Sequence, residues 1–126
     1  MDERHRDHLR DLSTRLVELH RLLLDRERRA YEQRYGAIPS GQILNLVLHD
    51  QQFAWLRTLS SVMAKIDEVV DAPDPVTERD VQAVHKELYR LLKSGGTDTF
   101  REKYREALQD SPDIVMAHAA VSALLR

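Results

Sequence analysis

The feature that most constrains the fold is a row of leucines that recurs at intervals of three and four residues near the N-terminus. The row consists of Leu9, Leu12, Leu16, Leu19 and Leu23. This alternation puts the leucines on one side of an α-helix, and a helix with such a stripe buries it against other helices. Gly36 and Pro39 predict an end near Tyr35, so the first helix covers about residues 8–35.

Capping residues, helix-breaking residues and the spacing of apolar residues predict three further helices. Their approximate bounds are residues 40–71, 77–94 and 98–125. Thr77 and Asp80 predict a capped start for the third helix, and Gly95–Gly96 predicts its end. Pro112 interrupts the fourth helix, but the apolar rhythm continues across it, which favours one kinked helix. A separate short helix capped by Ser111 is the alternative.

No strand-like alternation is present, so the sequence predicts a single all-α domain over residues 1–126. The predicted architecture is an antiparallel four-helix bundle with two long N-terminal helices, a shorter third and a Pro-kinked fourth. At about 1.5 Å per residue, the first two helices are roughly 40–48 Å long and the third only about 27 Å. The upper part of the hairpin formed by the first two helices then lies beyond the reach of the third.

This upper part of the hairpin is strongly apolar. It contains Tyr31, Tyr35, Ile43, Leu44, Leu46, Val47, Leu48, Phe53 and Trp55. A large exposed apolar area marks an interface in most soluble proteins, so we expect a two-fold homodimer that buries the hairpin. A fourth helix that folds upward, or a bound hydrophobic ligand, would cover the same area.

The stretch HDQQFAWLRTLS, residues 49–60, combines polar and aromatic side chains. Asn45, His49 and Gln52 fall where the stripe of the second helix, extended back from Leu56, requires apolar residues. Three interpretations stay open: solvated or hydrogen-bonded residues at the edge of the stripe, polar groups that set the register of a dimer, or a ligand site made by the three. We expect Arg57 to pair with a carboxylate and the only tryptophan, Trp55, to be a core or interface anchor.

The same region resembles a known group of sequences. HDQQFAWLRTLSSVMAKIDE, together with LHRLLLDRERRAYE upstream, is similar to short bacterial helical proteins that share an FAWLR…LS…IDE string. The resemblance covers about residues 16 to 68 and implies a bacterial origin, but no activity, ligand or catalytic residue. That group often has proline where Thr58 stands in this chain.

Metal sites of familiar type are not predicted. Cysteine is absent and no Glu-x-x-His motif occurs, which excludes thiolate sites and the di-iron carboxylate pattern. His85 and His118 are interpreted as ordinary residues of the helix stripes. Weak metal candidates lie three residues apart at the N-terminus: Asp2, His5, His8 and Asp11. We therefore expect no cofactor.

Composition excludes further classes. Nineteen basic and 21 acidic residues give a net charge of −2, without the basic excess that nucleic-acid binding needs. The charged N-terminus MDERHRDHLRD is not a secretory signal, and no apolar run approaches the roughly 18 residues of a membrane span, so a cytoplasmic location is expected. No nucleophile and base occur at a supporting spacing.

Two functional hypotheses follow from these observations. The first is a non-enzymatic helical interaction module, a homodimer that also has a surface for a partner helix. The second is a bundle that binds a small ligand or a metal through Asn45, His49 and Gln52. The residues expected at the interface or ligand site are Tyr31, Tyr35, Leu44, Asn45, Leu48, His49, Gln52, Phe53, Trp55 and Arg57.

Overall fold

The computed structural model describes residues 3–93 and 98–126, and all regular structure in these ranges is helical. The helices are α1 (Arg4–Tyr35), α2 (Ile43–His49), α3 (Ala54–Asp71), α4 (Glu78–Leu92), α5 (Asp98–Asp110) and α6 (Pro112–Leu124). A single 3₁₀ turn, Gln51–Phe53, joins α2 to α3. The predicted all-α class is confirmed for the described residues. The predicted helix stop at Gly95–Gly96 lies outside them.

The leucine row is buried along α1, as predicted. Leu9, Leu12, Leu16 and Leu19 have no exposed surface, and Leu23 is 1% exposed. Helix α1 contacts α3, α4 and α6. Each buried leucine stabilises the fold by roughly 1.5–3 kcal/mol, so this stripe organises the core. α1 ends at Tyr35, where Gly36 takes a φ of 90° and its N–H donates to the carbonyl of Glu32.

The prediction of one continuous second helix over residues 40–71 is wrong. The chain breaks at Asp50, whose backbone is extended at φ −77° and ψ 140°. Asp50 Oδ1 accepts a hydrogen bond from the backbone N–H of Gln52 at 2.8 Å. An aspartate side chain satisfies the unpaired N–H groups at the start of a new helix, so Asp50 ends α2 and begins the next helical segment.

The prediction of one kinked fourth helix is also wrong, and the alternative with a separate helix is correct. Ser111 is extended at φ −132° and ψ 111°, and its side chain accepts from the backbone N–H of Ile114. Pro112 occupies the first turn of α6, where its missing N–H has no helical acceptor in any case. The apolar rhythm crosses the break because α5 and α6 both bury residues against the same core.

The third helix begins as predicted. Thr77 accepts from the backbone N–H of Asp80, and the Asp80 side chain accepts from the backbone N–H of Thr77. The α3–α4 connection is fastened to the start of α1 by Arg6, which donates to the carbonyls of Ala72 at 3.1 Å and Asp74 at 2.7 Å. In the described ranges no helix has the length and apolar content to cross a membrane.

Candidate interaction surface around helix α2

Helix α2 is rich in aliphatic residues, yet none of its residues is buried. Five of its seven residues, in the sequence ILNLVLH, are aliphatic, and the helix contains no Asp, Glu, Lys or Arg. Leu44 is 65% exposed and Leu48 is 51% exposed. These two leucines lie one turn apart and form what we call the α2 face. A helix of this composition is normally enclosed by other structure, so the α2 face lacks a covering partner within the described part of the chain.

The other side of α2 is anchored to the rest of the protein. Leu46 and Val47 are half-buried and pack against the core. Arg57, on α3, donates to the carbonyls of Val47 at 3.0 Å and Asp50 at 3.3 Å. The expectation that Arg57 pairs with a carboxylate is wrong: its charge satisfies carbonyls at the C-terminus of α2, a position that favours a cation. The α2 face is therefore held in a defined orientation.

The expectation that Phe53 and Trp55 lie on an uncovered surface is wrong. Phe53 has no exposed surface and Trp55 is 4% exposed. Phe100 of α5 packs edge-on against Trp55, with the ring centroids 5.4 Å apart. The physical reason is that the chain folds α5 back onto α3, the upward-folding fourth helix that the sequence left as an alternative. Within the uncovered hairpin that we expected, the exposed residues are Tyr35, Leu44 and Leu48.

Glu27 is a residue that sequence reasoning missed. It is the buried charged side chain in the described ranges, at 5% exposure. Its Oε2 accepts from Trp55 Nε1–H at 3.3 Å, and its backbone carbonyl accepts from Gln52 Nε2–H at 3.4 Å. Its burial could have been predicted from its position four residues after Leu23, where the stripe of α1 continues.

The polar residues predicted as a ligand site differ in their surroundings. Asn45 and His49 are exposed, whereas Gln52 is half-buried and is turned toward Glu27. The interpretation as solvated or hydrogen-bonded edge residues fits this arrangement. The break at Asp50 leaves Asn45 and His49 on α2 and places Gln52 in the 3₁₀ turn that follows.

The two tyrosines at the end of α1 differ in their environment. Tyr31 is half-buried, and its ring centroid lies 5.9 Å from that of Phe53 and 4.7 Å from that of Tyr35. Tyr35 is 61% exposed. Both line a cavity of about 300 Å³ with Gln42 and Leu46. This cavity lies under the side of α2 that faces α1.

The fold places the N-terminal metal candidates in different surroundings. His8 turns to α4, where its Nε2 lies 2.7 Å from His85 Nε2. Asp11 is exposed, and Asp2 lies outside the described residues. His5 is half-buried and lines a cavity together with His85. In the described ranges no three His, Asp or Glu side chains are placed to share a metal ion. His85 lies next to buried Val84 in α4 and is half-buried.

His118 forms a separate polar cluster between α5 and α6. Its Nδ1 lies 2.6 Å from the hydroxyl of Tyr104, and its Nε2 lies 3.4 Å from the hydroxyl of Ser122. Burial raises the pKa of Tyr104. Burial, and to a smaller extent the charge of Lys93, lowers the pKa of His118. Because both groups are thereby held neutral near pH 7, the cluster is a satisfied hydrogen-bond chain within the helix packing.

Comparison with protein-family models, with curated proteins and with solved structures found no match for this chain.

Proposed function

We propose that this chain is a non-enzymatic helical interaction module that forms a two-fold homodimer through the α2 face. In this proposal the helices make an antiparallel four-helix bundle, with α2–α3 and α5–α6 each acting as one broken rod. The observation that supports it is the exposure of Leu44 and Leu48 on a helix that contains no Asp, Glu, Lys or Arg. Exposed aliphatic side chains cost free energy that association recovers.

A second copy of the chain is the occupant that the chemistry of the surface favours. An isologous contact brings Leu44 and Leu48 of one copy against the same residues of the other. No charged residue lies within α2, so the approach of two identical faces involves no like-charge repulsion there. Asn45 and His49 lie beside the two leucines and supply a polar rim, as is common around apolar interface cores.

Sedimentation velocity over a range of protein concentrations tests the dimer. We expect the 14.6 kDa chain to form a species of twice that mass, and the double variant Leu44→Glu, Leu48→Glu to remain monomeric. The dimer buries four leucines, two from each copy, which are 65% and 51% exposed in one chain. Burial of that exposed area contributes roughly 3–7 kcal/mol, so the loss in affinity exceeds a hundredfold.

The matched control is Val17→Glu, which introduces a charge at a site on α1 that is 54% exposed. This variant should dimerise like the wild type. A wild-type protein that stays at the monomer mass at every concentration, or a Val17→Glu variant that dissociates as readily as the α2 variant, contradicts the proposal.

The cavity of about 300 Å³ beside Tyr31 favours a second candidate function, the binding of a small ligand. Its size lies at the lower end of the range for ligand pockets, and Tyr31, Gln42 and Leu46 combine apolar walls with polar groups. Saturable binding of a hydrophobic fluorescent probe that is lost in Gln42→Leu and Tyr31→Ala, but kept in Leu44→Glu, would support this alternative.

A further inference from the structure

Two histidine side chains, one on α1 and one on α4, are in direct contact. His8 Nε2 and His85 Nε2 are 2.7 Å apart, and the ring centroids are separated by 4.9 Å at an interplanar angle of 52°. The residues are separated by 77 positions in the sequence. Both side chains are half-buried, so the two Nε2 atoms share one hydrogen bond in a site that is partly shielded but open to solvent.

The pair is held in place by the surrounding packing. Leu9 and Leu12 follow His8 in the buried stripe of α1, and Leu88 lies one turn after His85; all three have no exposed surface. Arg6 ties the start of α1 to the connection that leads into α4 through the carbonyls of Ala72 and Asp74. Because both backbones are fixed, the fold keeps the two imidazoles close enough to bind one ion.

We propose that His8 and His85 bind a divalent transition-metal ion of the zinc class between α1 and α4. Zinc binds histidine nitrogen at about 2.0–2.1 Å in tetrahedral geometry, which puts two nitrogen ligands of one ion about 3.3 Å apart. The observed 2.7 Å is a hydrogen-bond distance, so metal binding requires each ring to turn by roughly 35° until both Nε2 atoms point at one ion in tetrahedral geometry. Water molecules complete the coordination.

The protonation state of the pair suits this role. In the pair without metal, one Nε2–H donates to the other Nε2. Metal binding requires both Nε2 atoms to be free of protons, so the donor ring moves its proton to Nδ1 and no net proton is released from the neutral pair.

Calorimetric titration of the untagged full chain with Zn²⁺ in a non-chelating buffer tests the proposal. We expect one equivalent to bind with a dissociation constant in the micromolar range. His8→Asn and His85→Asn should each weaken binding at least tenfold. His49→Asn is the matched control, since it removes an exposed histidine on a different helix, and it should bind like the wild type. Circular dichroism establishes that each variant is folded.

Three results overturn the proposal. One is the absence of saturable binding by the wild type. Another is equal affinity in wild type and His85→Asn. The third is affinity that is lost in His5→Asn but retained in His85→Asn, which assigns the ion to the first turns of α1 alone. A thermal readout gives an independent check, because an ion that links two helices raises the unfolding temperature of the wild type but not of His85→Asn.

Discussion

The indole N–H of Trp55 donates to the buried carboxylate of Glu27 across a distance of 3.3 Å. This bond joins α1 to α3 at the level where Phe100 of α5 covers the indole ring. A buried carboxyl oxygen costs free energy unless it accepts a hydrogen bond. Trp55 therefore stabilises the fold both through its apolar ring and through its polar N–H.

Trp55→Phe should destabilise the protein by about 1–3 kcal/mol, because it keeps most of the apolar ring but leaves Glu27 without its indole donor. Urea denaturation followed by circular dichroism measures this loss. Glu27→Gln retains an acceptor and should cost less. In the double variant Trp55→Phe, Glu27→Gln the two losses should not add, since the partners share one interaction. Additive losses would show that the indole N–H interacts no better with the carboxyl group of Glu27 than with an amide.

Asp50→Ala should cost about 0.5–2 kcal/mol, the range for removal of an N-cap side chain. Asp50 Oδ1 accepts from the backbone N–H of Gln52, and alanine offers no acceptor for that group. Asp50→Asn keeps a side-chain oxygen and is the control, with a loss of a few tenths of a kcal/mol. If the chain were instead a continuous helix through residue 50, alanine would stabilise it because of its higher helix propensity.

Local patterns predicted the elements that depend on neighbouring residues. The leucine stripe of α1, its end at Tyr35 and the capped start at Thr77 follow from helix periodicity and backbone hydrogen bonding, and all three are confirmed. Such signals are readable because their partners lie within four residues. The resemblance of residues 16 to 68 to a bacterial group and the expected cytoplasmic location stay predictions.

Features that depend on distant residues were not predictable in the same way. Ser111 fits a helical rhythm that persists across Pro112, because α5 and α6 bury residues in the same core. The break at Asp50 follows a helix with no buried residue. The position of α5 is set by the contact of Phe100 with Trp55. His8 and His85 come into contact only through the packing of α1 on α4. No spacing in the sequence therefore predicts their contact.

Pro112→Ala distinguishes the observed helix break from a kinked helix. Proline inside a continuous helix costs about 3 kcal/mol, so its removal from a kinked helix would raise the free energy of unfolding by a similar amount. In the first turn of α6 proline is well accommodated. We therefore expect a change of less than about 0.5 kcal/mol in a urea titration. Ser111→Ala should instead lower stability by about 0.5–2 kcal/mol.

Stability should fall as the pH is lowered from 8 to 5. Burial lowers the pKa of His20, His85 and His118, with further contributions from His8 to His85 and from Lys93 to His118. In the unfolded chain these groups titrate near pH 6.5. Below that pH the unfolded state binds more protons than the folded state, so the free energy of unfolding decreases as the pH drops through about 6.5 and on toward the folded pKa values.

Urea denaturation at several pH values measures this dependence. The carboxylates that contribute through surface pairs titrate at lower pH, because hydrogen bonds from Arg21 and Arg28 lower the pKa of Glu18 and Asp25. The histidines therefore account for the slope between pH 8 and 5. His118→Gln cannot take up a proton and should flatten the profile, whereas His49→Gln, which replaces an exposed histidine, should leave the slope unchanged. A wild-type profile that is flat over this range would contradict the assignment.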